Sequence, residues 1–185
     1  RLHPLIELSG KTLGLIGFGR IGRAVAPIAR ALGMHVLVTT RTTPSAEHAS
    51  DIDREVIYVN LEELLSASDI ISLHCPLTPQ TENLINEKTI ALAKDGFMLI
   101  NTGRGPLIDE QALAQALTTG KAGGAALDVL STEPPAADNP LLTAPNCIIT
   151  PHIAWAPKQT RERLMNIAAG NLAAWLSEEE INTVN

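Results

Sequence analysis

Apolar runs of strand length alternate with stretches of helical period along the whole chain. Short apolar blocks fall at 12–16, 35–39, 56–59, 70–73, 97–101, 124–127 and 147–150, several of them bounded by Gly, Pro, Asn or Asp. Between them, apolar positions recur at helical spacing over 21–32, 61–67, 86–93, 109–118 and 157–179. Strands that read as continuous apolar blocks are buried on both faces, and intervening helices supply the crossovers that a parallel sheet needs. The expected fold class is therefore α/β, a doubly wound parallel sheet. Pro157 is expected in the first turn of the last helix, where its missing N–H costs nothing, and that helix carries an apolar stripe of Leu164, Ile167, Ala168, Leu172 and Trp175. The stretch 131–145 holds Pro134, Pro135, Pro140 and Pro145 and is the one long irregular connection. Loops of that length inside a compact domain are commonly functional.

Composition narrows the picture. At 185 residues the chain can bury a core of its own, and the reading is one domain over 1–185. Apolar residues make up 45 % and aromatic ones only 3 %, which suits small helices packed on a sheet. A formal charge of −6 leaves no basic footprint, so nucleic acid and anionic membrane are not expected partners. Cys75 and Cys147 are too few for a disulfide framework and are expected to be reduced thiols, which points to the cytoplasm. Neither has the neighbours of a metal ligand, since proline follows Cys75 and two isoleucines follow Cys147, so no metal site is expected. No apolar run approaches the roughly 18 residues that span a bilayer, and no basic-then-apolar leader stands at the start. The chain opens on Arg1 shortly before a complete motif, as expected of a piece of something longer.

That motif is Gly17-x-Gly19-x-x-Gly22, placed where the first strand runs into the first helix. There Gly17 makes the turn, Gly19 lets backbone approach a pyrophosphate, and Gly22 permits close packing of helix on strand. With the βα alternation around it, the motif reads as a dinucleotide clamp of the Rossmann type. An NAD site commonly places Asp or Glu at the end of the second strand to accept from the ribose 2′-OH. Here the strand ends in Thr39, Thr40 and Arg41. Loss of the carboxylate removes repulsion against a 2′-phosphate, and a guanidinium can pair with it, which favours NADP. The alternative is that Arg41 is an ordinary solvated loop residue and the cofactor is NAD.

Three further stretches stand at expected strand ends, where open α/β sheets collect ligands: "NTGRGPLIDE" at 101–110, "ALDVLSTEPP" at 126–135 and "TPHIAW" at 150–155. Each sets one polar group beside a turn, Arg104, Glu133 and His152. Arginine suits a planar carboxylate or α-keto acid, and a histidine paired with a carboxylate is a tunable proton donor. On spacing alone His152 could equally be surface polarity and Glu133 a loop charge. His74 reads as surface polar beside Cys75, and His3, His35 and His48 carry no motif.

Taken in order, "ELSGKTLGLIGFGRIGRAVA", "LHCPLTPQTENLIN", "NTGRGPLIDE", "LDVLSTEPP" and "TPHIAWAP" resemble the D-isomer-specific 2-hydroxyacid dehydrogenase family over essentially the whole chain. The resemblance implies a NAD(P)-dependent oxidoreductase of small 2-keto and 2-hydroxy acids, commonly a homodimer. It implies that Arg104 binds the substrate, that Glu133 orients and charges the histidine, and that His152 gives and takes the proton. It assigns Asp128 to the nicotinamide carboxamide and Arg20 and Ile21 to the turn over the pyrophosphate. Cys75 and Pro76 fall to the adenosine half, and Thr102 and Gly103 to the nicotinamide ribose. The family's formate-specific branch has Gln in place of Glu133. The resemblance also counts Trp155 among the cofactor-binding residues, and its place after "HIA" is most similar to the glycerate dehydrogenase and hydroxypyruvate reductase branches. The chain departs from the family at the missing ribose carboxylate and in lacking roughly a hundred preceding residues that build most of the substrate domain. Dinucleotide-sensing corepressors resemble the same family and keep similar triads, so the motifs alone leave a binding module as the alternative to an enzyme.

Overall fold

The computed structural model describes residues 6–43, 45, 47 and 49–183. His3 and His48 lie outside the described residues. The chain divides into two compact units, Arg1–Thr150 and Pro151–Asn185.

The first unit is built on a seven-stranded, all-parallel sheet: β1 (Thr12–Ile16), β2 (His35–Thr39), β3 (Ile57–Tyr58), β4 (Ile70–Leu73), β5 (Phe97–Asn101), β6 (Ala122–Leu127) and β7 (Cys147–Ile149). Their spatial order is β3-β2-β1-β4-β5-β6-β7, so the chain steps outward from β1 on one side and then returns to build outward on the other. This is the doubly wound order of dinucleotide-binding folds. The connecting helices are α1 (Arg20–Ala31), α2 (Asp51–Arg54), α3 (Leu61–Ala67), α4 (Glu87–Leu92) and α5 (Glu110–Thr119).

Side-chain alternation along the strands separates two cores. Leu13 and Leu15 of β1 and Val36 and Val38 of β2 join Ala26 and Ala29 of α1 in one. Ile16, Leu37, Ile71, Leu73, Phe97 and Leu99 point to the other face and meet Leu64 and Leu65 of α3 and Leu113 and Leu117 of α5. Local signals stop and start the helices. Asn60, Asn86 and Asp109 cap α3, α4 and α5 through their side chains, and Gly120 ends α5 in the left-handed region at φ +79.

The expected elements are present with shifted ends. β3 shrinks to two residues, β6 starts earlier than expected, and α2 is an extra single turn. The irregular stretch after β6 contains a 3-10 turn at Pro140–Leu142. In the second unit α6 runs Lys158–Leu176, with Pro157 at the N-cap rather than inside the first turn. Its expected stripe is largely uncovered: Leu164, Ile167 and Leu172 are more than half exposed and Trp175 is 73 % exposed. Among the described residues no helix is long and apolar enough to cross a membrane.

Candidate active site

β1 and β4 lie side by side, but their chains depart to opposite sides, and at such a reversal a crevice opens beyond the strands' carboxyl ends. A cleft of about 660 Å³ lies there, with Gly17, Gly19, Thr40, Arg41, Cys75 and Pro76 among its lining residues. Six positions spread over three segments of sequence are thus brought to one place by the order of the strands.

The glycines divide the work. Gly17 has φ +96, its N–H donates to the Thr39 carbonyl at 2.8 Å, and a Cβ there would stand 2.5 Å from the Cys75 nitrogen. No side chain fits, because the turn presses against the end of β4. A Cβ on Gly22 would stand 2.6 Å from the Gly17 carbonyl oxygen, so α1 also needs a bare backbone at this contact. Gly19 is different: nothing lies within 4 Å of its would-be Cβ. It is the N-cap of α1, no side chain caps the helix, and its first turn carries no acidic residue. Backbone amides and the positive end of the helix therefore face open space, a cradle that fits a pyrophosphate. Arg20 and Ile21, exposed at the start of α1, stand beside it.

Thr40 is half-buried and Arg41 exposed at the end of β2. Across the cleft, His74 bonds Ser72 Oγ through Nε2 at 3.0 Å, and burial lowers its pKa from the ordinary histidine value. It is thus a neutral, half-buried lining residue rather than a surface one. Burial pushes the Cys75 and Cys147 thiols up, so both remain protonated. Both are free.

At the ends of β5 and β6 a residue that the sequence reading passed over organises the turn. Asn101 is fully buried; its Oδ1 accepts from the Gly103 N–H and its Nδ2 donates to the Arg104 carbonyl, both at 2.9 Å. Its own carbonyl accepts from the Asp128 N–H at 2.9 Å, which joins the two strand ends. Thr102, Gly103 and Arg104 are thereby held as one turn, with the Arg104 side chain exposed. Asp128 is buried and its Oδ1 accepts from Thr150 Oγ1. Glu133 is exposed in the following loop, where its Oε1 accepts from the Leu130 N–H at 3.1 Å. His152 and Trp155 belong to the second unit. His152 has φ +53, in the left-handed region, and its carbonyl accepts from the Trp155 indole at 2.7 Å.

A second group beneath the glycine turn was also missed. Asp53, on α2, is 2 % exposed and pairs with the Arg23 guanidinium at 2.7 Å. It also accepts from the Ser50 N–H at 2.9 Å and from the Tyr58 hydroxyl. Arg23 lies over the Phe18 ring at 4.9 Å, and Tyr58 meets that ring edge-on at 5.9 Å. The Ser50-x-x-Asp53 spacing of a capping box is visible in the sequence; the partners from α1 and β3 are not.

The chain is similar to known proteins in sequence and in fold. The family described as D-isomer specific 2-hydroxyacid dehydrogenase, NAD binding domain, matches residues 2–154. A hydroxypyruvate reductase of Blautia hydrogenotrophica is 54 % identical over 184 residues, 99 % of this chain and 56 % of that protein. A glycerate dehydrogenase of Methylorubrum extorquens is 42 % identical over 184 residues, 98 % of this chain and 55 % of that protein. The crystal structure of D-lactate dehydrogenase with NAD+ from Lactobacillus jensenii superposes with a TM-score of 0.88 at 35 % identity, over 97 % of this chain and 57 % of that one. The chain spans about half the length of the relatives it matches. A Rossmann-type sheet with an open, uncapped glycine turn and this depth of similarity lead to one assignment: the chain belongs to the D-isomer-specific 2-hydroxyacid dehydrogenase family and matches its NAD-binding domain.

Proposed function

We propose that this chain is the dinucleotide-binding domain of a D-2-hydroxyacid dehydrogenase that reduces a small 2-keto acid of the hydroxypyruvate or glyoxylate kind, with NADP preferred over NAD. The observation that carries the reading is the uncapped amide cradle at Gly19, set at the strand-order reversal within the same sheet that ends in Arg104 and Asp128. When bound, the reduced nicotinamide supplies a hydride for the keto carbon. Arg104 holds the substrate carboxylate and polarises the carbonyl. Glu133 orients His152 and keeps it charged, and His152 donates a proton to the developing alkoxide. Asp128 would hold the carboxamide, the Thr102–Gly103 backbone the nicotinamide ribose, and Cys75 and Pro76 the adenosine side. Trp155 steadies His152 through its carbonyl.

NADP preference is supported by Thr40 and Arg41, which line the cleft where a ribose-binding carboxylate would repel a 2′-phosphate. A homodimer is supported by Ile28 on α1 and Leu32 at its C-cap, which are 63 % and 52 % exposed. Two free thiols suit a reducing compartment such as the cytoplasm. The test is His152→Ala in the full-length protein. Hydroxypyruvate reduction should lose about 10²–10⁴ in kcat, the range for a general acid, while NADPH affinity stays within about twofold. Undiminished kcat would remove His152 from the chemistry.

A further inference from the structure

We infer that Glu110 is a positioning residue for Glu133, tying both ends of the loop that carries it to a rigid helix. The inference rests on the reading of Glu133 as the acid that orients His152. Glu110 is the first residue of α5, directly after the Asp109 cap, and nothing in the chemistry proposed above uses it. Its two oxygens reach different points of the loop after β6. Oε1 accepts from the Ser131 N–H at 2.7 Å, and Oε2 accepts from Asn139 Nδ2 at 2.8 Å. Glu133 lies between these two anchors.

Asn139 is itself fixed. Its Oδ1 accepts from the Leu141 N–H at 3.0 Å at the start of the 3-10 turn, and Leu141 is 1 % exposed in the core. At the other end, a Cβ on Gly105 would stand 2.0 Å from the Leu130 carbonyl carbon, so the turn after Arg104 presses on the peptide where the loop begins. Between the anchors, residues 131–134 and 136–138 are all exposed. They bury almost nothing that could order them, so their order falls to hydrogen bonds. α5 supplies the fixed base, since Leu113 and Leu117 are 0 % and 3 % exposed in the main core. A carboxylate is suited to the task because each oxygen can hold a separate donor, and charge-assisted bonds are the stronger kind. The start of a helix also favours its negative charge.

The experiment is a graded set of variants in the full-length protein. Glu110→Gln keeps one acceptor oxygen and turns an amide toward Asn139 Nδ2, so it loses one tether; Asn139→Ala loses the same one together with the bond to the Leu141 N–H. Glu110→Ala loses both. Misplacement of a catalytic group by about 1 Å costs up to about 10²-fold, so Glu110→Ala should lower kcat by about 10–100-fold and the single-tether variants by about 3–10-fold. NADPH affinity should stay within about twofold in all three, because the Gly17–Gly22 cradle is untouched. On a Glu133→Ala background, Glu110→Ala should change kcat less than about twofold, since the group it positions has gone. In the folded, cofactor-free protein, amide exchange at Ser131 should quicken in Glu110→Ala and remain slow in Asn139→Ala. Equal loss of kcat on both backgrounds, or weakened NADPH binding in step with kcat, would overturn the role. If Glu133→Ala alone leaves kcat unchanged, the assignment of Glu133 falls and this inference with it. Glu133→Ala damaging and Glu110→Ala harmless would overturn this inference alone and leave the reading of Glu133 standing.

Discussion

Asp53 has a carboxylate buried almost completely yet ionised. The Arg23 guanidinium holds it well below the usual carboxylate range, with Ser50 and Tyr58 adding hydrogen bonds against the cost of burial. In turn burial and the neighbouring carboxylate push the Tyr58 phenol up to about 12. A depressed carboxyl contributes stability that is complete above its unfolded value near 3.9 and is lost as pH falls toward the native value. A raised phenol contributes below about 10 and loses its part as pH rises through about 12. Asp53→Asn should therefore destabilise by about 2–3 kcal/mol at neutral pH, as for a charged group stripped of its buried partner, with Arg23 keeping part of its side chain in water. The gap to the parent should narrow in acid below about pH 4, as read from urea unfolding at several pH values. A constant gap would mean the carboxylate charge is not what matters. Arg41 poses a question of selectivity instead. Arg41→Ala should weaken NADPH by about 1–3 kcal/mol, the scale of a charge-assisted bond, and leave NADH nearly unchanged. Calorimetry that finds equal losses for both cofactors would return Arg41 to the solvated loop.

The strand-to-helix turn from β1 into α1 shows how one element can separate folding from binding. Gly17 is demanded by the fold, through its positive φ and the backbone of β4 2.5 Å from its absent Cβ. Gly19 is demanded only by what enters the open space beside it. Gly17→Ala should therefore cost stability, about 1–3 kcal/mol or more, along with cofactor binding. Gly19→Ala should leave the melting temperature almost unchanged, as expected where a methyl meets nothing, and still weaken NADPH by more than about tenfold. Thermal unfolding beside fluorescence titration separates the two, and a large loss of stability in Gly19→Ala would contradict the reading. α2 is the opposite kind of element. Four residues cannot sustain a helix by propensity, so it exists because Asp53 is bound from three sides.

Across the whole molecule the two sheet faces are unequally covered. Register aligns Leu13, Ile70 and Met98 on the α1 face of the sheet, and aligns Leu15 with Ser72, Ile100, Ala126 and Ile148 in the next row. Those rows are buried at β1 and open toward the edge, where Met98 is 44 % and Ile148 67 % exposed. In the second unit the large apolar residues of α6, such as Leu164, Ile167 and Trp175, are exposed as well. Relatives nearly twice as long carry further chain, and we expect that chain to supply the opposing wall of the active site. The 185-residue chain should bind NADPH through its own cradle yet reduce hydroxypyruvate at less than about a tenth of the full-length rate, because closure excludes water and positions the carbonyl. Steady-state turnover within tenfold of the full-length protein would show that the second wall is dispensable.

The sequence by itself determined the α/β class, the places of the main strands and helices, and the glycine clamp. Each of those is written in local periodicity, in caps such as Asn86 and Asp109, and in residues whose freedom is local, such as Gly17. It also marked Arg104, Glu133 and His152 as the groups to watch. The tertiary structure decided what depends on distant partners. Strand order, set by packing over the whole sheet, brought Thr40, Arg41 and Cys75 to the glycine turn. Only burial could show His74 as a neutral lining residue. The supports of the site, Asn101 at the Arg104 turn, Asp53 paired with Arg23 and Glu110 across the Glu133 loop, were hidden for one physical reason. Asn, Asp and Glu are ordinary turn and helix-start residues in sequence, and a hydrogen bond to backbone 21 residues away, as from Ser131 to Glu110, leaves no periodic trace in the chain.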